Sequence, residues 1–174
     1  MDTILHKSET RGFADHGWLK ARHTFSFADY YNPDRMQFGK LRVLNNDIVA
    51  PEKGFGMHPH ENMEIITIPI SGSLKHKDNM GNSSIIQAGE VQVMSAGTGV
   101  FHSEFNPSDT EEVDLLQIWI FPDKQDVEPR YDQKKFSKEQ RVNEFQLIVS
   151  PVKDSKALWI NQNAWFYLYN PETG

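Results

Sequence analysis

Two short stretches concentrate the residues able to do chemistry. One is Gly54-Phe-Gly-Met-His58-Pro-His60-Glu-Asn-Met-Glu64, and the other is Ser95-Ala-Gly97-Thr-Gly99-Val-Phe-His102-Ser-Glu104-Phe-Asn106. Side chains alternate across a strand, so His58 and His60 project to one side, as do His102 and Glu104. If the two stretches are neighbouring strands, three imidazoles and a carboxylate converge on one point. Such donors suit Fe(II), and also Zn, Ni, Mn or Cu. Four of them leave positions of an octahedral ion open for water, dioxygen or a chelating substrate, which is the mark of a reactive rather than a closed structural site. Glu64 keeps the parity of His58 and His60 if its strand is regular, so Glu64 and Glu104 compete for the carboxylate position. A lone histidine is more often a surface or satisfied core residue. What lifts these above that reading is two parity-matched pairs, each beside a glycine-rich turn. The other histidines lack such company. His6 and His16 are expected at the surface, His76 between Lys75 and Lys77 in solvent, and His23 as a packed loop residue.

Composition limits the alternatives. The chain has 174 residues and no cysteine, which excludes disulfides, thiolate metal sites and thiol nucleophiles. A formal net charge of −6 leaves no basic surplus for general nucleic-acid binding. No apolar run is long enough to span a membrane. The first residues lack the apolar core of a signal peptide, so the expected location is cytoplasmic.

The elements that must position the two stretches are short strands. Residues 41–49, 62–71, 74–77, 85–86, 91–94, 100–105 and 113–121 read as strands, punctuated by Gly, Pro and Asn. That spacing predicts an antiparallel sandwich or barrel. Residues 122–140 are polar and read as a boundary or surface crossing, with a scrap of helix near 138–142. Two apolar pieces follow, 145–149 and 158–169. One or two strands cannot make a core of their own, so they add to the main barrel, pair with another chain, or open a second domain.

These residues resemble the two cupin motifs. The first is Gly54, His58-Pro-His60, Glu64 and Gly72, and the second is Gly89, Ser95-Ala-Gly97, His102 and Asn106. Ser95 stands where the general pattern has proline, the gap from Gly97 to His102 is longer, and Glu104 is additional. Those departures resemble the pirin family in its bacterial branch. So do Gly54–His60, Met94–Glu104, Arg11-Gly12, His16–Leu19, His23–Phe27, Asp78–Gly81, Gln117–Ile120 and Pro129–Tyr131. The resemblance implies an all-β cupin barrel, a double-stranded β-helix, over residues 1–136. Residues 137–174 would then be a linker and the first strands of an incomplete C-terminal cupin domain, with self-association through those strands as a further expectation. It implies one divalent ion, Fe(II) foremost, held by His58, His60, His102 and Glu104, with Glu64 supporting the site from behind.

The activity implied is that of a quercetin 2,3-dioxygenase, which opens a flavonol ring with dioxygen and releases carbon monoxide. Glu104 would be the catalytic base, and a small aromatic substrate the partner. No substrate-binding residue is assigned. The alternative is a non-enzymatic, redox-sensitive iron protein that regulates a protein partner. A purely structural metal is a third reading, although a barrel of this size can bury enough apolar surface without one.

Overall fold

The computed structural model describes residues 5–153 and 156–172. Its first two strands, β1 (Gly12–Asp15) and β2 (Leu19–His23), pair with each other and then with β3 (Leu41–Val49). β4 (Gly54–His60) and β5 (Glu64–Ser71) carry the first motif and the apolar run after it. β6 (Ser73–Asp78), β7 (Ser83–Gln87), β8 (Glu90–Ser95), β9 (Val100–Phe105) and β10 (Val113–Ile120) follow at short intervals. β11 (Arg130–Lys135) lies within the stretch expected to be a surface crossing. It is nonetheless a full antiparallel partner of β8. A sheet-edge strand needs no apolar run, and Arg-Tyr-Asp-Gln-Lys-Lys has none.

The main strands form two sheets. One has the order β1-β2-β3-β10-β5-β8-β11, and the other β4-β9-β6-β7. The sheets face each other across an interior to which both contribute side chains, the all-β architecture of a cupin barrel. The seven-stranded sheet is covered on both faces. That explains why the interior of β5 is a continuous apolar run rather than an alternating one. Its outward side chains Ile66, Ile68, Val91, Val93, Ile118 and Ile120 join Ile148, Val149, Leu158 and Ile160 in one buried cluster. The latter four come from or beside β12 (Gln146–Ser150) and β13 (Leu158–Trp159), which with β14 (Phe166–Leu168) make a separate three-stranded sheet. The segment after residue 136 therefore shares a core with the strands before it. The helical scrap is a single 3-10 turn, Glu139–Arg141. No helix among the described residues is long and apolar enough to cross a membrane.

The inner face of the seven-stranded sheet is different. His23, Asn45, Gln117, Thr67, Gln92 and Gln133 are successive cross-strand partners from β2 to β11. Directly opposed residues share a face, so a row of polar side chains crosses the sheet, all but Gln133 buried. His23, expected in a loop, heads this row on β2. Its ring meets Phe27 edge-on at 5.3 Å, and its Nδ1 has no hydrogen-bond partner. Burial first, and His16 second, hold its pKa below the usual 6.5.

An unfolded chain thus protonates this imidazole before the folded chain does. The stability it contributes is present above pH 6.5 and drains away as pH falls below that value. Measured between pH 7 and 5, the melting temperature of His23→Gln is expected to fall less steeply than that of the wild type. An equal slope would show that His23 takes up its proton freely in the fold.

Candidate metal centre

β4 and β9 are antiparallel neighbours, and His58 stands directly opposite His102. Phe55 stands opposite Glu104, so three steps along β4 answer two along β9. The extra residue is a β-bulge at Gly56-Met57, a device that re-aims side chains beside functional sites. Here it leaves Phe55 and His58 facing the same interior. The His58 Nδ1 lies 2.7 Å from the Gly56 carbonyl oxygen. A carbonyl only accepts, so Nδ1 carries the proton and Nε2 keeps its lone pair.

The imidazoles of His58, His60 and His102 come together. Their ring centroids lie 4.9, 4.4 and 4.8 Å apart for the pairs 58–60, 58–102 and 60–102. One nitrogen from each falls within 4.8 Å of the others. Burial lowers the pKa of His60 to about 4, with His58 adding to the effect. It lowers His102 to about 2, with His58, His60 and His76 adding to it. His60 and His102 therefore persist as neutral donors. His102 Nε2 is buried and has no hydrogen-bond partner. An orphaned imidazole nitrogen among converging imidazoles is an arrangement that a metal ion satisfies and that little else does.

Glu104 sits one register position along β9, opposite His76 of β6. It belongs to a second, overlapping trio with His102 and His76. Gln117 Nε2 donates to its two carboxylate oxygens at 3.0 and 3.3 Å, and Thr67 Oγ1 donates to Gln117 Oε1 at 3.0 Å. Burial pushes the Glu104 carboxyl up to about 7, against the pull of the Gln117 and Thr67 hydrogen bonds.

His76 is the largest departure from expectation. It is fully buried rather than solvated. The alternation along β6 points Leu74, His76 and Asp78 inward, and Lys75 and Lys77 outward. Its Nε2 lies 3.0 Å from Asp78 Oδ2, while its Nδ1 faces His102 Nδ1 at 3.5 Å. The Asp78 carboxylate is anchored by the backbone N–H groups of Met80 and Asn82 and by the Asn82 side chain. Burial works to raise its pKa, but the hydrogen bonds from His76 and Asn82 outweigh it and hold the group below the ordinary range. An ionised Asp78 accepts a hydrogen bond from His76 Nε2–H. His76 Nδ1 is then an acceptor for His102 Nδ1–H, and the His102 lone pair sits on Nε2, the orphaned atom. Sequence parity from Leu74 was the signal that could have found this chain of contacts.

Glu64 is placed elsewhere. β4 ends at His60 and the chain turns through Asn62, which has φ 47° and donates its N–H to the Gly97 carbonyl. Glu64 then opens β5 in the opposite sheet, so the regular-strand parity linking it to His58 and His60 does not hold. Its carboxylate accepts from Ser95 Oγ at 2.8 Å and from Asn161 Nδ2 at 3.1 Å. Glu64 ties β5 to β8 and to the chain beyond β13.

The centre opens onto a cavity of about 450 Å³, within the range of small-molecule sites. Trp18, Phe27, Phe55 and Trp119 give it aromatic walls. His58, His60 and Glu104 face it from one sheet, and Asn45, Asp47 and Gln117 from the other. Burial, then Glu104 and Asp114, push the Asp47 carboxyl up to about 7.

Residues 5–120 match the family model described as Pirin. The chain is 48% identical over 163 residues to a quercetin 2,3-dioxygenase of Escherichia coli K12, covering 94% of this chain and 69% of that protein. It is 48% identical over 143 residues to a pirin-like protein of Caulobacter vibrioides, covering 82% of this chain and 61% of that one. Among solved structures it matches the bacterial pirin YhhW of Escherichia coli in complex with nickel(II), with a TM-score of 0.88 and 47% identity, over 94% of this chain and 69% of that chain. With the family model matched over most of its length and close relatives in sequence and in structure, the chain belongs to the pirin family.

Proposed function

We propose that this chain is a metal-dependent dioxygenase of quercetin 2,3-dioxygenase type. His58, His60, His102 and Glu104 hold one divalent ion, Fe(II) foremost. The observation that carries the reading is the orphaned, buried Nε2 of His102 within a trio of converging imidazoles beside an aromatic cavity. The nickel-bound relative supports a metal centre but not the choice of ion. When bound, the ion would lower the pKa of a chelating hydroxyl and supply redox chemistry.

The chain's own residues do the rest. Trp18, Phe27, Phe55 and Trp119 exclude water and grip the flat face of an aromatic ligand. Glu104 takes the substrate hydroxyl proton at a carboxylate oxygen not engaged by the ion. Gln117 and Thr67 hold that carboxylate in place. Division of the chain at residue 136 belongs to the same reading, supported by the separate three-stranded sheet that follows it.

The test is direct. Iron-loaded protein is mixed with quercetin in air, and loss of visible absorbance and release of carbon monoxide are followed. Turnover that disappears in His58→Ala and Glu104→Gln is expected. Intact metal without turnover overturns the reading for this substrate.

The contacts behind His102 give a second expectation. His76→Phe keeps a ring against Tyr131 but removes the acceptor for His102 Nδ1–H. Metal affinity, measured by competition with a chromogenic chelator, is expected to fall about ten-fold, in the range typical of partners that orient a ligand. Unchanged affinity would show that the His102 tautomer is fixed some other way.

A further inference from the structure

The wall of the cavity contributed by β3 carries an unexplained pair. Asn45 and Asp47 are two residues apart on one strand, so both project into the barrel, and both line the cavity. They are only 3% and 5% exposed. Among the described residues neither side chain makes a hydrogen bond, and Asn45 Oδ1 and Asp47 Oδ1 are buried without partners. Elsewhere in the polar row Gln117 and Thr67 bond to each other and Gln117 bonds to Glu104, while His23 and Gln92 also hold buried unpartnered atoms. Of His23, Gln92, Asn45 and Asp47, only the last two line the cavity. Leaving a carboxylate and an amide desolvated and unpaired is costly. The fold bears that cost twice, side by side, in the wall of a cavity lined otherwise by four aromatic side chains and by the groups around the histidines.

We infer that Asn45 and Asp47 form a subsite for a phenolic hydroxyl on an aromatic ligand. The hydroxyl donates its proton to the Asp47 carboxylate, and the Asn45 amide N–H donates to the hydroxyl oxygen. The pair lies on the sheet opposite His58 and His60, so a ligand presenting one polar end to the histidines reaches this subsite with another. The substrate class is thereby narrowed from a flavonol to one carrying a hydroxyl remote from its chelating end. Water satisfies the pair less well, because aromatic walls give it few other partners. A ligand lacking that hydroxyl leaves both groups unpaired, and sites built in this way reject such analogues strongly.

This inference rests on the flavonol reading and is tested so that the two can fail separately. The full chain, metal-loaded and free of dioxygen, is titrated with quercetin and with 3,5,7-trihydroxyflavone, which keeps the chelating groups but lacks the pendant-ring hydroxyls. Quenching of tryptophan fluorescence reports binding. The wild type is expected to prefer quercetin by about ten-fold or more, the worth of a hydrogen bond to a buried charged group. Asp47→Leu is expected to erase the preference, and Asp47→Asn, which preserves shape, to reduce it.

Equal affinities in the wild type, or a preference that survives both substitutions, overturn the subsite while leaving the dioxygenase reading standing. Binding with the expected preference but no turnover in air strikes the dioxygenase reading and supports the subsite. Failure of both flavonols to bind overturns the two together.

Discussion

His102→Ala is expected to abolish stoichiometric metal binding. His102 is the member of the trio on which the other contacts depend. It stands opposite His58 across the β4–β9 pair and opposite Asp78 across the β9–β6 pair, and it belongs to both groups of converging donors. Removing it deletes one ligand and also leaves His76 Nδ1 facing a void. The loss of affinity should exceed the roughly 10–100-fold typical of outlying partners. Elemental analysis after dialysis, together with chelator competition, would measure it. His102→Ala protein that keeps one ion per chain at near-native affinity would place the metal elsewhere. The comparison to make alongside is His23→Ala, whose imidazole heads the polar row on β2 and which should leave the metal content unchanged.

Gly54→Ala should be among the most damaging single substitutions outside the proposed ligands. A Cβ at this position would fall on the Glu104 carbonyl oxygen and lie 2.5 Å from the Phe105 Cα. Those atoms are backbone, so no side chain can swing away. The β4 and β9 backbones must separate, and with them the two strands that carry His58, His60, His102 and Glu104. Overpacking of this kind costs about 2–3 kcal/mol, which for a domain of this size lowers the melting temperature by roughly 5–10 °C. Metal affinity should fall in parallel, because the strain sits between the ligand strands. Gly56→Ala, where a Cβ meets nothing within 4 Å, is the control and is expected to melt like the wild type. A Gly54→Ala protein that melts normally would mean the strand pair is looser than its register implies.

Much of this was readable from residue types and spacing, and the exceptions have physical causes. β3 and β9 are delimited by Pro, Gly and Asn and read cleanly. β10 reads cleanly because Val, Leu, Ile and Trp fill it. The convergence of His58, His60 and His102 follows from period-two alternation and one correct pairing. β1 and β2 do not read as strands, because Gly12, His16 and Gly17 interrupt any apolar pattern. Their strand character comes from pairing with β3. β11 is hidden by its polar composition at a sheet edge. Glu64 misleads because parity carries only within one strand, and the turn at Asn62 hands it to the other sheet. His76 misleads for the opposite reason. Its flanking lysines suggest solvent, yet those lysines occupy the other face, and the parity set by Leu74 was the better guide.

The row of polar side chains beneath the metal centre has a consequence for how such a barrel can change over time. Part of the cohesion of the seven-stranded sheet comes from its outer face, where Ile66, Val93 and Ile118 pack against the strands after residue 136. On the inner face the polar row from His23 to Gln92 is flanked by two apolar clusters, one with Leu19, Ala21, Val49, Val113 and Leu115 and one with Ile65 and Met94. The polar row is thus a band within an otherwise apolar interior, and adjacent residues of β3, β5 and β10 at that level answer to different selective demands. Exchanging Asn45, Asp47 or Gln117 for other residues draws on the inner face alone. One lineage can in this way retune what its cavity accepts while the scaffold that holds the histidines stays as it is.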